Sequence, residues 1–184
     1  MGELEWHFRS GYAVAALLLF RLLWGFVGTR YARFASFLPS PEAAMRTLRS
    51  DTSSYVRTAG HSELGTLSVY ALLLIVLIQV STGLFTNDGT FNEGPWVKFV
   101  SGATTDRLST IHRYNTWLVA ALVVLHVAAV VYYLLARRDD LITPMLTGDK
   151  LGVTAVAAED GVAIRLRAAI LAAVCAAVVY YLVT

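Results

Sequence analysis

Four histidines are the residues of this 184-residue chain best suited to chemistry: His7, His61, His112 and His126. A neutral imidazole is a good ligand for haem iron. An ionisable side chain inside an apolar segment is costly, and it therefore indicates a function. His126 is the clearest case, because Leu125 and residues 127–131 around it are all apolar.

The spacing of two of these histidines predicts a shared helix face. His112 and His126 are 14 residues apart. On a helix that rises about 1.5 Å per residue, this spacing is roughly 21 Å and close to four full turns. Both imidazoles should therefore point the same way at two depths, an arrangement that suits two stacked haems near opposite faces of a membrane.

The remaining candidates are placed by depth. His7 and His112 begin two helices that enter from the same side, so they form a natural ligand pair. Arg21 follows His7 by 14 residues, which predicts the depth of His126, where its guanidinium could hold haem propionates. His61 begins another helix. It is either the second ligand with His126, or a helix-entry histidine at the interface that could contact a propionate.

Two glycines accompany the residues on the first helix. Gly11 and Gly25 follow His7 and Arg21 by four residues each, on the same helix face. Glycine there would let a flat macrocycle approach the backbone. A small-residue face for helix packing explains the same pattern, and both alternatives stay open.

The elements that carry these residues are predicted to be membrane helices. The chain is 57% hydrophobic and 15% charged, whereas soluble domains have about 25% charged residues. Four apolar runs are long enough to span a bilayer, at about 7–29, 61–86, 109–137 and 164–183. We therefore predict an all-α integral membrane protein, residues 1–184, whose four transmembrane helices form one haem-binding bundle. A soluble helical domain is the disfavoured alternative, because the second run has no polar face.

Charge placement predicts the orientation. Ten Lys and Arg residues lie in the first and third connections, against four on the other side. The positive-inside rule then puts the amino terminus and the second connection outside. No cleavable signal is recognisable. Cys175 is the single cysteine, which excludes a disulfide framework and the Cys-x-x-Cys-His attachment of c-type haem.

Several motifs together resemble the bacterial cytochrome b561 and nickel–iron hydrogenase b-type cytochrome family. They are Glu5-Trp6-His7, Gly11-Tyr12, FRLLWGFVG (20–28), RYARF (30–34), Gly60-His61, TGLF (82–85) followed by Asp88, His112, His126, and PMLTG (144–148). The resemblance covers nearly the whole chain. It implies a four-helix core that binds two b-type haems. The charge distribution given above predicts that the amino terminus of such a bacterial inner-membrane protein is periplasmic.

By this resemblance His7 and His112 hold the outer haem. His126 should pair with a histidine on an additional first helix, which this sequence does not show. The inner haem is then lost, ligated by His61, or completed by another chain. A start codon assigned too late, or a truncated sequence, would explain the same departure.

The function expected is that of an electron-transfer subunit rather than a self-contained enzyme. The resemblance implies haem b, a redox partner (a dehydrogenase, a hydrogenase subunit or cytochrome c), and quinone. Membrane lipid surrounds the chain, no nucleic acid is expected, and a homodimer is left open. The alternatives are a haem-poor membrane anchor for a soluble partner and a quinone- or superoxide-linked enzyme at the haem edge, for which Arg21 and His61 are weak candidates. A transporter is disfavoured, because paired intramembrane carboxylates are absent.

Overall fold

The computed structural model describes residues 3–42, 45, 60–90, 92–147, 150 and 160–184. In these ranges the α-helices are α1 (Glu3–Val27), α2 (Glu63–Gly83), α3 (Gly102–Leu135), α4 (Ile142–Thr147) and α5 (Val162–Val183). Short 3-10 helices follow α1 and precede α3. Four of the helices, all except α4, are long and apolar enough to cross a membrane. The predicted all-α membrane fold is confirmed.

Helix ends follow local capping and charge. Ser62 accepts a hydrogen bond from the backbone N–H of Gly65 at 3.1 Å, and Ser101 accepts one from Thr104 at 3.3 Å. The Ser101 cap begins α3 at Gly102, seven residues before the predicted start at 109. The first turns of α3 are polar, so a search for apolar runs missed them. Glu3 likewise begins α1 four residues early, since an acidic first turn favours the helix dipole.

The long helices pack in a chain of neighbours. α2 packs antiparallel against α3, and α1 packs against both α2 and α5. Polar contacts tie the elements together: Asn115 Nδ2 donates to the carbonyl of Ile75 at 3.0 Å, and Trp96 Nε1 donates to the carbonyl of Leu182 at 2.9 Å. Most apolar side chains of these helices are exposed, for example Trp117 at 76%. Apolar side chains on the outer surface of the helices are expected where lipid surrounds the protein.

The connection between α2 and α3 is a folded loop around one aspartate. The Asp88 carboxylate accepts hydrogen bonds from the backbone N–H of Thr90 at 2.8 Å and of Asn92 at 3.1 Å, and from Asn92 Nδ2 at 2.7 Å. Gly89 has a φ of 75°, which a side chain would strain. The hydrogen bonds from Asn92 and Thr90 hold the pKa of Asp88 well below its usual value.

We expect this loop to loosen in acid through Asp88. A carboxyl whose pKa is depressed in the folded state adds stability that is present above the usual pKa of about 3.9 and is lost as the pH falls toward the folded value. Hydrogen-exchange protection of the Thr90 and Asn92 amides should therefore fall below about pH 4. Asp88→Ala should lower this protection above that pH, and the two proteins should converge in stronger acid. Asp140→Ala, which removes a similar cap from Ile142 and Thr143, should leave these amides unchanged. Equal protection in Asp88→Ala and the wild type would contradict the assignment.

Candidate functional site

Two histidines from different helices meet at one end of the bundle. His7 on α1 and His112 on α3 have ring centroids 6.0 Å apart and ring planes at 87°. When two imidazoles bind one metal ion from opposite sides with nitrogens about 2 Å from it, their centroids are roughly 6 Å apart. The separation of the His7 and His112 rings therefore admits a single metal ion between them.

An apolar cavity of about 370 Å³ borders both rings. Its walls come from α1, α2 and α3; they include Gly11, Val14, Val76, Val80 and Val119. A Cβ atom added to Gly11 would meet nothing within 4 Å, so the backbone of α1 is open to the cavity there. The approach of a flat macrocycle to Gly11 stays a prediction.

The mouth of the site is polar. A second cavity of about 410 Å³ also reaches His7 and His112, and its walls carry Asp88, Asp106 and Arg113. The site thus combines two imidazoles, an apolar interior and a charged outer edge. Haem has an iron that takes nitrogen ligands and a flat apolar ring, which suit the imidazoles and the apolar interior, and Arg113 is the cation at the mouth that its anionic propionates would pair with. The residues present fit this cofactor.

The hydrogen bonds of His112 define its tautomer. Its Nδ1 lies 3.0 Å from the carbonyl oxygen of Gln79, and its Nε2 lies 3.2 Å from the side-chain nitrogen of Gln79. A carbonyl only accepts and an amide N–H only donates, so Nδ1 carries the proton and Nε2 carries the lone pair. Nε2 is therefore the atom of His112 that can bind a metal.

His126 also faces α2. Its Nδ1 lies 3.0 Å from the Ser68 hydroxyl, and its ring is half-buried. Both α3 histidines thus contact the same neighbouring helix, as the spacing of His112 and His126 predicts. The two contact points on α2, Gln79 and Ser68, are 11 residues apart, so the two rings lie at different depths.

Arg21 is held by the segment that follows α1. Its Nη1 donates to the carbonyl of Ala32 at 3.3 Å, and its guanidinium lies 5.0 Å from the ring centroid of Phe34 and 5.9 Å from that of Phe37. In the described parts of the chain, its hydrogen bonds and ring contacts are all with this segment and none is with His126. The sequence predicted a common depth for these two residues but not the segment that returns over α1 and contacts Arg21.

Gly25 is also covered by the returning segment. The ring of Phe34 packs where a Gly25 side chain would be. The sequence left open a macrocycle or a neighbouring helix at this position. The observed neighbour is neither, because the chain turns back after Val27 through the 3-10 helices Arg30–Ala32 and Phe34–Ser36.

His61 packs on an aromatic cluster that is formed by Phe34, Phe37 and Tyr70. Its ring stacks on Phe37, with centroids 4.2 Å apart and planes at 29°. Burial lowers the pKa of His61, and the positive charge of Arg21 lowers it further. The ring contact of His61 is with Phe37 rather than with His126, and both alternatives for its role stay predictions.

Sequence reasoning missed a polar network beside His112. Gln79 Oε1 accepts a hydrogen bond from Asn115 Nδ2 at 2.7 Å, and Gln79 Nε2 donates to Thr116 Oγ1 at 3.0 Å. Asn115 is buried. An amide within an otherwise apolar segment is the same kind of signal that singled out His126, so Gln79 could have been found from the sequence.

Comparison with known proteins defines the class. The family model for prokaryotic cytochrome b561 matches residues 1–148. The chain therefore belongs to the prokaryotic cytochrome b561 family, as its motifs indicated. A b-type cytochrome family implies haem b. The cavity that borders His7 and His112 suits this cofactor.

Relatives make the comparison more specific. The chain is 27% identical over 162 residues to the probable Ni/Fe-hydrogenase B-type cytochrome subunit of Azotobacter chroococcum, covering 77% of this chain and 65% of that protein. The corresponding proteins of Bradyrhizobium diazoefficiens and Escherichia coli are each 23% identical, covering 78% and 77% of this chain and 64% and 67% of theirs. The chain thus spans about 65% of the length of the first of these relatives. No solved structure matches it.

Proposed function

We propose that this multi-pass membrane protein is a b-type cytochrome subunit that carries electrons between a nickel–iron hydrogenase and the quinone pool. The observation that carries the proposal is the pairing of His7 and His112 across 6.0 Å beside an apolar cavity with a polar mouth. The relatives, which are hydrogenase cytochrome subunits, favour a hydrogenase over another dehydrogenase or a c-type cytochrome as the partner.

Each residue of the site then has a defined task. His7 and His112 would hold the haem iron through ring nitrogens, and Gly11 would leave room for the macrocycle against α1. Arg113 at the mouth supplies a cation for the charged edge of the cofactor. When bound, haem b supplies a one-electron couple, and the apolar walls keep water from its faces.

His126 is proposed as the ligand of a second haem deeper in the bundle. With its Nδ1–H donating to the Ser68 hydroxyl, His126 would keep the Nε2 lone pair for a metal. The second ligand of that iron would then not be His7, His61 or His112. A histidine of another chain is one source. Arg21 and His61 lie together with Tyr70 in the aromatic cluster and are proposed to contact a propionate or a quinone there.

The proposed orientation follows the arginine and lysine distribution. Ten basic residues flank one side and four the other, so the positive-inside rule places the His7–His112 site on the periplasmic side of a bacterial inner membrane. A periplasmic hydrogenase would then dock over the polar mouth, and quinone would react from within the membrane.

The test is hydrogen-driven reduction of haem in membranes. The chain is co-expressed with the hydrogenase subunits of its source, and oxidised membranes are exposed to hydrogen gas. We expect a b-type α-band to appear and to fade when a water-soluble quinone analogue is added. Membranes without the hydrogenase should show neither change. A haem that responds to dithionite but not to hydrogen would contradict the partner, and a chain without haem would favour the membrane-anchor alternative.

A further inference from the structure

α2 contributes no imidazole to the His7–His112 pair, yet it makes the polar contacts that hold His112. The Nδ1 atom of His112 lies 3.0 Å from the carbonyl oxygen of Gln79 and 3.3 Å from the hydroxyl of Thr82. The Thr82 hydroxyl itself donates to the carbonyl of Ile78 at 2.6 Å, so its lone pairs face the imidazole. The carbonyl of Gln79 is therefore the main acceptor, and Thr82 is a weaker second one.

Gly83 makes this approach possible. A Cβ atom at position 83 would lie 2.9 Å from Cε1 and 3.2 Å from Nδ1 of His112, closer than such atoms normally approach. Among the described glycines only Gly89 has a positive φ, so the backbone conformation of Gly83 does not call for glycine. The need for glycine at the end of α2 is explained by the imidazole that packs against it.

We propose that Gln79, through its carbonyl, with Thr82 and Gly83 forms a positioning group that fixes the ring orientation and tautomer of His112 and so sets the reduction potential of the outer haem. This inference rests on the proposed function, since it needs His112 as an iron ligand. A backbone carbonyl that accepts the second ring N–H of a ligating histidine orients the ring and makes it a more basic ligand. A more basic imidazole stabilises the ferric state over the ferrous state.

The side chain of Gln79 fits the same role. In this structure its amide N–H covers the Nε2 lone pair, the atom that the iron would take. The same amide also donates to Thr116 at 3.0 Å and its oxygen accepts from Asn115. When the iron takes Nε2, the Gln79 amide would keep its hydrogen bonds with Thr116 and Asn115. Haem binding therefore leaves this network in place.

The decisive variant is Gly83→Ala, with Gly102→Ala as the matched control. A methyl group at position 83 should push the imidazole from the Gln79 carbonyl, and an imidazole can move without disturbing the backbone. We expect haem affinity to fall by about 10–100-fold, as for other losses of a supporting hydrogen bond. The midpoint potential should rise, and the largest g-value of the ferric haem should shift. Gly102 lies on α3 with nothing within 4 Å of an added Cβ, so Gly102→Ala should match the wild type.

A second pair of variants covers the case in which Gly83→Ala does not accumulate. Thr82→Val keeps the shape of the side chain and removes the hydroxyl, so it should raise the potential by less than Gly83→Ala. Thr82→Ser should restore the wild-type potential. Wild-type potential and g-values in both Gly83→Ala and Thr82→Val, with haem bound, would overturn the inference. A wild-type protein that binds no haem would instead overturn the proposed function.

Discussion

Replacing His112 with alanine should remove the proposed outer haem from the purified protein. The ring of His112 lies 6.0 Å from that of His7 between centroids, and without it a haem iron held there would keep a single histidine ligand. Loss of a hydrogen bond that supports a ligand lowers metal affinity by about 10–100-fold, so loss of the ligand itself should lower haem affinity further. Haem and iron per chain, measured with the reduced-minus-oxidised spectrum, should show the low-spin α-band of this haem disappear.

Matched histidine variants separate ligation from folding. His7→Ala should reproduce the loss, because it removes the opposite ligand of the same iron. His126→Ala, which changes a ring of the same type on the same helix, should leave the outer haem in place, and so should His61→Ala. A His112→Ala protein that keeps the complete low-spin spectrum would contradict the ligand assignment.

Removing the carboxylate of Asp139 should destabilise the protein by about 3–5 kcal/mol. Asp139 is 1% exposed, and its Oδ2 accepts a hydrogen bond from Lys150 Nζ at 3.1 Å. Its backbone N–H donates to the carbonyl of Tyr133 at the end of α3, so the pair fixes the turn that leaves this helix. Asp139→Ala would leave the largely buried ammonium of Lys150 without this carboxylate. Thermal unfolding in detergent can be followed through the reactivity of Cys175, a buried thiol and the single cysteine of the chain.

An exposed ion pair provides the control for Asp139. Arg165 and Asp160 form a bidentate pair at 2.7 and 2.9 Å, but their side chains are 72% and 61% exposed. Solvent screens such a pair, so Asp160→Ala should leave the unfolding curve unchanged. If both Asp139→Ala and Asp160→Ala unfold at the wild-type temperature, the buried ion pair of Asp139 with Lys150 does not stabilise the protein more than the exposed pair does.

The sequence contains enough information for the helices and for the His7–His112 pair. Lipid requires long apolar runs with all backbone hydrogen bonds satisfied, and such runs are visible without tertiary knowledge. Depth along a helix follows from residue count, so His7 and His112 could be paired from their positions near two helix starts. The polar first turns of α3 escaped, because Ser101 begins the helix by capping and not by hydrophobicity.

The other half of the candidate site depends on a segment without periodicity. Residues 28–37 turn back over α1, bring Phe34 against Gly25 and put Phe37 between Arg21 and His61. Neither the spacing of Arg21 from His7 nor the glycine pattern predicts where a short irregular segment will pack. The contacts of Gln79 and Gly83 with His112 are also tertiary, although an amide alone in an apolar helix was a usable signal.

Whether His7 and His112 bind one haem iron is tested most directly by electron paramagnetic resonance of the oxidised, purified wild-type protein, together with a count of haem per chain. If His7 and His112 bind one iron from opposite sides, the spectrum should show a low-spin ferric haem with two nitrogen ligands, present at one or more haems per chain. Protein that carries no haem after reconstitution, or that shows only a high-spin ferric signal, would contradict the proposal that His7 and His112 bind one haem iron.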